Sequence, residues 1–174
     1  EGQYIDLSMA EATTMLLPEA ILDYSMNGRI QEPRGNRHQA HAPHGNYPCL
    51  GYDRWIGIAV TGDSQWEALC RALGCVELLE DSRFSDAMAR WKNQDALDRA
   101  LAAKTRDHDA DELTAKLQEA GVPAGPTLAV DQLWTNTHLR ERGFFQSYET
   151  EDGTIRDIPG VPWRFDGAAD ANMT

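Results

Sequence analysis

The stretch between residues 29 and 48 constrains the fold of this chain more than any other feature. It contains three His, three Pro, two Gly and two Asn, and almost no aliphatic residues. Such a composition is typical of a loop or linker, because proline and glycine interrupt regular structure and few apolar side chains are left for a core. A loop of this length is unusual inside a compact domain and usually has a functional or interdomain role. The sequence therefore predicts a linker over residues 29–50 that joins separate structural units.

Composition limits the classes of fold and function. The chain has 174 residues, of which 41% are hydrophobic, enough for the core of one ordinary domain or for pieces of two. Its 28 acidic and 16 basic residues give a formal charge of −12. Such an acidic chain is not expected to bind nucleic acid or to dock on anionic membranes. No run approaches the roughly 20 apolar residues of a membrane helix, and no signal peptide is visible.

The chain contains three cysteines, Cys49, Cys70 and Cys75. An odd number, in a chain large enough to need no covalent cross-links, indicates reduced thiols and hence a cytoplasmic location. No C-x-x-C pair is present, so the usual signature of a structural zinc site is missing.

A helix is predicted from Ser8 to Asn27, ahead of the linker. Ser8 can cap it, and Glu11 stands three residues later at the spacing of a capping box. Pro18 falls inside the helical pattern and should kink the helix or divide it in two. Gly28 is expected to end it.

A strand and a helix are predicted directly after the linker. Residues 52–61 are rich in β-branched and aromatic residues, as strands are. Asp63 then has the position of a helix N-cap, with the helix running over 64–73 and Gly74 ending it.

Further helical segments are predicted between residues 76 and 121. They are a turn over 76–79, a helix capped by Ser85 that runs to about Lys104, and a helix capped by Asp109 that ends at Gly121. The apolar periodicity assigns the core side of the two helices to Ala87, Trp91, Leu97 and Leu101, and to Leu113, Leu117 and Ala120.

The remaining residues predict an extended connection and a hairpin. Residues 122–126 cannot be helical because of their two prolines, and a short helix follows over 133–142. Strands are expected over 143–148 and 155–158, around an Asp-Gly turn. Residues 159–165 are expected to be extended, and the tail after Asp166 to fray.

Five stretches carry a recognisable pattern in their order and spacing. They are the run GQYIDLSMAEA from Gly2 to Ala12, PHGNYPC from Pro43 to Cys49 with DRWIGIAV from Asp53 to Val60, RFS from Arg83 to Ser85, AGVPAGP from Ala120 to Pro126, and RGFF from Arg142 to Phe145. Together they resemble the family III CoA-transferases, the group that includes carnitine and formyl CoA-transferases.

The resemblance implies a large α/β domain of Rossmann-like fold and a small α+β domain, joined by two linkers. In the family, two such chains interlock as a homodimer. Residues 1–28 would then be the last helix of the large domain, 29–50 the linker, and 51–122 the small domain of helices on a short antiparallel sheet. Residues 123–174 would be the return linker and a C-terminal segment that packs on the large domain, which is itself absent.

The resemblance also implies the chemistry. In the family, an Asp of the large domain attacks an acyl-CoA thioester, and CoA passes to an acceptor acid through anhydride and aspartyl-CoA thioester intermediates. That Asp lies upstream of Glu1, and since the first residue is not Met, the chain is interpreted as a piece of a longer enzyme. No catalytic residue is therefore expected in this chain, which alone should be inactive. Coenzyme A is implied as a substrate and no cofactor is bound covalently.

Residues 34–45 correspond to a glycine-rich loop that covers the intermediate in some members of the family. Here the stretch lacks a run of glycines, and the candidates for contact with the substrate are His38, His41, His44 and Gly45. The three histidines are spaced three apart, but no helix or strand is predicted to fix them and Pro43 intervenes. A solvated or interface loop is favoured over a metal site.

Two alternative functions remain open. One is an acyl-CoA racemase of the same superfamily, whose pattern places a Glu that positions a catalytic His at the position of Asp63. A carboxylate that caps a helix is already occupied by backbone N–H groups, so the transferase is favoured. The other is a catalytically silent binding or scaffolding subunit, and the sequence upstream of Glu1 distinguishes it from the enzyme.

Overall fold

The computed structural model describes residues 2, 4 and 6–162 and has an α+β fold of short helices and two small antiparallel sheets. Two single turns of 3-10 helix lie at Val76–Leu79 and Ser82–Phe84. The α-helices are α1 (Met9–Thr14), α2 (Pro18–Asn27), α3 (Asp63–Ala72), α4 (Ala87–Lys92), α5 (Gln94–Thr105), α6 (Ala110–Glu119), α7 (Val130–Thr135) and α8 (Thr137–Glu141). The strands are β1 (His44–Pro48), β2 (Trp55–Ala59), β3 (Ala124–Pro126), β4 (Phe145–Glu149) and β5 (Ile155–Pro159).

The central sheet has the order β1-β2-β3, with β2 antiparallel to both neighbours. Tyr47 pairs with Ile56, which pairs in turn with Pro126. Alternate residues point to opposite faces of a sheet, and here Tyr47, Ile56 and Ile58 point into the core. The opposite face carries Asn46 and Gly57.

Strand β1 corrects the prediction that residues 29–48 are loop throughout. His44–Pro48 forms five consecutive pairs with β2, because Tyr47 is 2% exposed and its burial aligns the segment with the sheet. Residues 124–126, expected only as a connection, form the third strand. The sheet therefore includes residues on both sides of 51–122, and the domain boundaries themselves stay a prediction.

Helices α5 and α6 cover the inner face of the sheet, and α3 packs on α6. Helix α5 packs on β1, and α6 packs on β2, β3 and α3. The core has a single contiguous cluster, because each element contributes one apolar face. Its fully buried members include Ile56, Leu69, Phe84, Leu97, Leu101, Leu113, Leu117 and Val122.

The helix predicted from Ser85 to Lys104 is in fact two helices. Asp86, and not Ser85, is the N-cap of α4 and accepts a hydrogen bond from the Ala89 N–H at 2.8 Å. The chain then breaks at Asn93 before α5 begins. Arg90, at 1% exposure, takes the inward position of α4, whereas Trp91 is 38% exposed and Ala87 is also exposed, contrary to their predicted place on the core side.

Other predicted helix ends are confirmed. Ser8 accepts from the Glu11 N–H at 3.3 Å, and Pro18 begins α2 as a separate helix. Asp109 caps α6 by accepting from the N–H groups of two residues in its first turn. Ala120 is exposed, contrary to its predicted position on the core side.

Helices α1 and α2 contribute nothing to the core. Among the described residues of these two helices none is buried, and apolar side chains such as Met9, at 81% exposure, and Met26, at 77%, face outward. None of the helices within the described part of the chain is long and apolar enough to cross a membrane.

Residues 130–160 form a local unit of two helices and a hairpin. Asn136 divides the predicted single helix into α7 and α8 by capping α8, and β4 pairs with β5 around a turn in which Gly153 has a φ of 78°. Arg140 joins the helices to the hairpin, since its guanidinium bonds Asp157 at 2.9 Å and lies over the Phe145 ring. The predicted extension beyond Pro162 and the tail after Asp166 lie outside the described residues.

Replacing Leu117 by Ala should destabilise the core by about 2–5 kcal/mol, because a fully buried leucine leaves a cavity when truncated. Leu50→Ala is the matched control, since Leu50 is 59% exposed. Chemical denaturation of the full-length protein measures both. Equal losses for the two variants would contradict the core described above.

Candidate functional site

The structure brings together the three predicted histidines in what we call the histidine loop, residues 34–44. The ring centroids of His38 and His41 are 4.7 Å apart with an interplanar angle of 24°, and those of His38 and His44 are 5.4 Å apart. His44 is the first residue of β1, and the fourth candidate, Gly45, follows it in the strand. A strand and the sheet beneath it therefore support one end of the loop.

Hydrogen bonds to the backbone orient two of the imidazoles. The Ala40 N–H donates to His38 Nδ1 at 3.1 Å, so this nitrogen is the unprotonated acceptor. His44 Nδ1 lies 2.7 Å from the Asn36 carbonyl oxygen and donates its proton to it. Burial, and then the neighbouring His41 and His44 rings, lower the pKa of His38 below its ordinary value of 6.5. His38 is consequently neutral at pH 7.

The stacked arrangement does not suit a metal ion. Imidazole nitrogens coordinate a metal in the plane of the ring, whereas His38 and His41 face each other through their ring surfaces. Across the described part of the chain, no group of three or more His, Cys, Asp or Glu side chains is placed to hold a metal.

Arg37 anchors the histidine loop to helix α5. Its Nη2 lies 2.6 Å from Asp95 Oδ1 and 2.7 Å from Asp98 Oδ2. The Tyr47 hydroxyl donates to the other oxygen of Asp98 at 2.9 Å. These carboxylates raise the pKa of Arg37, while burial and then the Asp98 charge raise the pKa of Tyr47. One carboxylate thus joins the loop to β1.

A groove of about 530 Å³ lies between the loop and the sheet, and Gly45 and His44 line it. Its floor includes Gly57, where an added Cβ would lie 3.1 Å from Asn46 Oδ1 and 3.6 Å from the Gly125 carbonyl oxygen. A side chain at Gly57 would therefore crowd its neighbours, and the floor is backbone that a ligand can approach closely.

A larger hollow of about 1120 Å³ lies between helix α2 and the loop. Its lining includes Arg29, Arg34 and Arg37 beside His38, and also the acidic Glu19 and Asp23. Arg29 is paired with Asp23, and Arg37 with Asp95 and Asp98. Arg34 is the arginine of this lining outside those pairs, and a positive group on a concave surface favours an anionic ligand.

The structure corrects the role of Asp63. The N-cap of α3 is Gly62, and Asp63 is the first residue of the helix. Its Oδ1 accepts from Arg90 Nη2 at 2.6 Å, so its partner is a side chain and not the backbone. Arg90 was missed by the sequence reasoning, because the predicted continuous helix placed Trp91 in the core instead.

Comparison with known proteins shows what this chain is similar to. It is 28% identical to a succinate–glutarate CoA-transferase of Agrobacterium fabrum, over 92% of this chain and 39% of that protein. It is 32% identical to a succinyl-CoA–D-citramalate CoA-transferase of Chloroflexus aurantiacus, over 82% of this chain and 35% of that protein. The chain therefore spans between a third and two fifths of the length of these two relatives.

A solved structure shows the same arrangement of elements. The crystal structure of a CaiB/BaiF family protein from Brucella suis superposes with a TM-score of 0.77 at 30% identity, covering 97% of this chain and 43% of that one. The profile of CoA-transferase family III matches residues 1–172. The chain belongs to CoA-transferase family III.

Proposed function

We propose that this chain is part of an enzyme that transfers coenzyme A from an acyl-CoA to a carboxylic acid. The observation that carries the proposal is the match to CoA-transferase family III over residues 1–172. The relatives from Agrobacterium fabrum and Chloroflexus aurantiacus carry succinyl, glutarate and citramalate in their names. We therefore propose an acyl donor and an acceptor that are short dicarboxylates.

The proposed reaction is nucleophilic catalysis by an Asp carboxylate outside this chain. The carboxylate attacks the thioester carbonyl, the C–S bond breaks, and CoA thiolate leaves to give a mixed anhydride. The thiolate then attacks the aspartyl carbonyl and releases the donor acid, leaving an aspartyl-CoA thioester. The acceptor carboxylate attacks the carbonyl of this thioester and expels CoA thiolate, which gives a second mixed anhydride. The thiolate then attacks the acceptor's carbonyl in that anhydride, forming the new acyl-CoA and releasing the Asp carboxylate. Coenzyme A is a substrate throughout.

The histidine loop is proposed to form one wall of the acyl site, with His38, His41, His44 and Gly45 as the candidates for contact. Three features support this: the Arg34 side chain in the lining of the hollow, the His38 imidazole with its lowered pKa, and the glycine floor of the groove. A negatively charged acid is attracted by the arginine. A thioester can lie against a floor without side chains.

The assembly and location are proposed from other parts of the chain. The exposed apolar side chains of α1 and α2 suit packing against a large α/β domain, and two such proteins would interlock as a homodimer. Cys49, Cys70 and Cys75 are free thiols. Reduced thiols suit the cytoplasm, where we place the enzyme.

The transferase remains favoured over a racemase, for a reason that differs from helix capping. The Asp63 carboxylate already accepts a charge-assisted hydrogen bond from the buried Arg90 at 2.6 Å. An oxygen engaged in this way is poorly placed to orient a histidine of another domain. A silent scaffolding role is tested by the activity of the full-length protein.

The full-length protein should transfer CoA from succinyl-CoA to a dicarboxylic acid such as glutarate, measured by separation of the CoA esters. In deuterium oxide, the carbon next to the thioester should gain no deuterium beyond the uncatalysed rate, because no proton transfer at that carbon is required. The 174-residue chain alone is the control and should show no turnover. Enzyme-dependent deuterium incorporation without CoA transfer would establish the racemase instead.

Replacing His41 by Ala should lower kcat or change the preference among acyl donors, with little change in melting temperature, because the ring belongs to the wall of the proposed site. His138→Ala is the matched control, since His138 is an exposed histidine outside the loop. Loss of stability with normal kinetics in the His41 variant would assign the loop a purely structural role.

The depressed pKa of His38 predicts a pH dependence of stability. The unfolded chain binds this proton more readily, so folding stability should fall as the pH drops from the ordinary value of 6.5 through the lower value in the folded loop. Glu19 opposes the shift, and burial with His41 and His44 outweighs it. His38→Gln should flatten this part of the profile, measured by urea midpoints between pH 7.5 and pH 5. An unchanged profile would contradict the burial of His38.

A further inference from the structure

Arg90 is a charged side chain that is fully enclosed by protein, with 1% of the side chain exposed. Each nitrogen of its guanidinium donates a hydrogen bond. Nε donates to the Ala42 carbonyl oxygen at 3.1 Å, Nη1 to the Phe84 carbonyl oxygen at 3.3 Å, and Nη2 to Asp63 Oδ1 at 2.6 Å. The guanidinium also lies 5.4 Å from the centre of the Trp66 ring. These contacts join α4 to three other segments of the chain: the histidine loop, the 3-10 turn that ends at Phe84, and helix α3.

A gain in folding stability does not explain why an arginine occupies this buried position. Removing a charge from water costs several kcal/mol, and a buried ion pair is often replaced by apolar residues without loss. The only carboxylate that Arg90 meets among the described residues, Asp63, has a side chain that is 68% exposed, so water weakens the attraction. The guanidinium instead contributes geometry, because its planar set of N–H donors fixes the positions of several acceptors in one plane.

One of those acceptors belongs to the histidine loop. Ala42 follows His41 directly and precedes His44 by two residues, and the next carbonyl, that of Pro43, accepts from the Val60 N–H at 2.9 Å. Arg37 anchors the loop on its other side, through Asp95 and Asp98. The segment 38–41, with two of the three rings, is thus held between an exposed and a buried arginine.

We propose that Arg90 is a positioning residue for CoA transfer: it holds the Ala42 end of the histidine loop so that the His38, His41 and His44 rings face the acyl site. The proposal rests on the proposed function. Arg90 does not touch the substrate and acts through the loop, and Asp63 orients the guanidinium from the other side.

The experiment compares Arg90→Met and Arg90→Lys in the full-length protein. Arg71→Met is the matched control, because within the described part of the chain Arg71 pairs only with Glu67, on the surface. Hydrogen exchange is measured on peptides covering residues 38–46 and residues 110–119, together with kcat and KM for CoA transfer. Both Arg90 variants should exchange faster in the loop and not in helix α6. Their kcat should fall about tenfold or more, since small misplacements in a site cost up to about 100-fold.

Arg90→Lys separates charge from geometry, because lysine keeps the charge without the planar fork. It should retain more stability than Arg90→Met and still have the low kcat. A wild-type kcat in Arg90→Lys, unchanged exchange in the loop, or equally faster exchange in α6 would each overturn the proposal. Faster loop exchange with normal kcat would also overturn it.

If Arg90→Met does not fold, Asp63→Ala takes its place, since it removes an exposed partner of the guanidinium and leaves the core intact. The same loss of loop protection and the same fall in kcat are expected, to a smaller extent. The two proposals fail distinguishably: absence of CoA transfer by the wild-type protein refutes the proposed function, whereas the exchange rates test the hold of Arg90 on the loop independently of activity.

Discussion

The pairing of His44–Pro48 with β2 is the interaction on which the rest of the structure depends. It places the Tyr47 ring in the core and its hydroxyl against Asp98 of α5. The same carboxylate also forms a salt bridge with Arg37, so the strand, the helix and the histidine loop share one charged group. Since register is set by burial, a slip of one residue would turn Tyr47 to the other face of the sheet and remove this link.

Two arginines then hold the loop by different physical means. Arg37 is 40% exposed and pairs with two carboxylates, so salt and solvent weaken its contribution. Arg90 is enclosed and bonds mainly to backbone carbonyl oxygens, where hydrogen bonds are less accessible to water. The Arg37 end is therefore the one expected to open first, and the Ala42 end the one that preserves the shape of the loop.

Local signals in the sequence predicted some of the helix ends. Ser8, Pro18 and Asp109 act through neighbours a few residues away, and these contacts are the ones the structure shows. The hairpin after Tyr148 followed from its Asp-Gly turn for the same reason. What the sequence did not reveal depends on distant partners: β1 needs β2, and Arg90 needs Ala42 and Asp63.

The histidine loop illustrates both what the sequence predicted and what it did not. Its composition identified His38, His41 and His44 as candidates, and the structure stacks their rings. A strand holds this loop on one side and a buried guanidinium holds it on the other. A stretch without apolar periodicity does not predict either contact. Arg90 shares one helical face with Leu97 and Leu101 by its spacing, and all three side chains are buried while Trp91 is exposed. Arginine is rarely fully buried, so the apolar pattern assigned this inward position to Trp91 and not to Arg90.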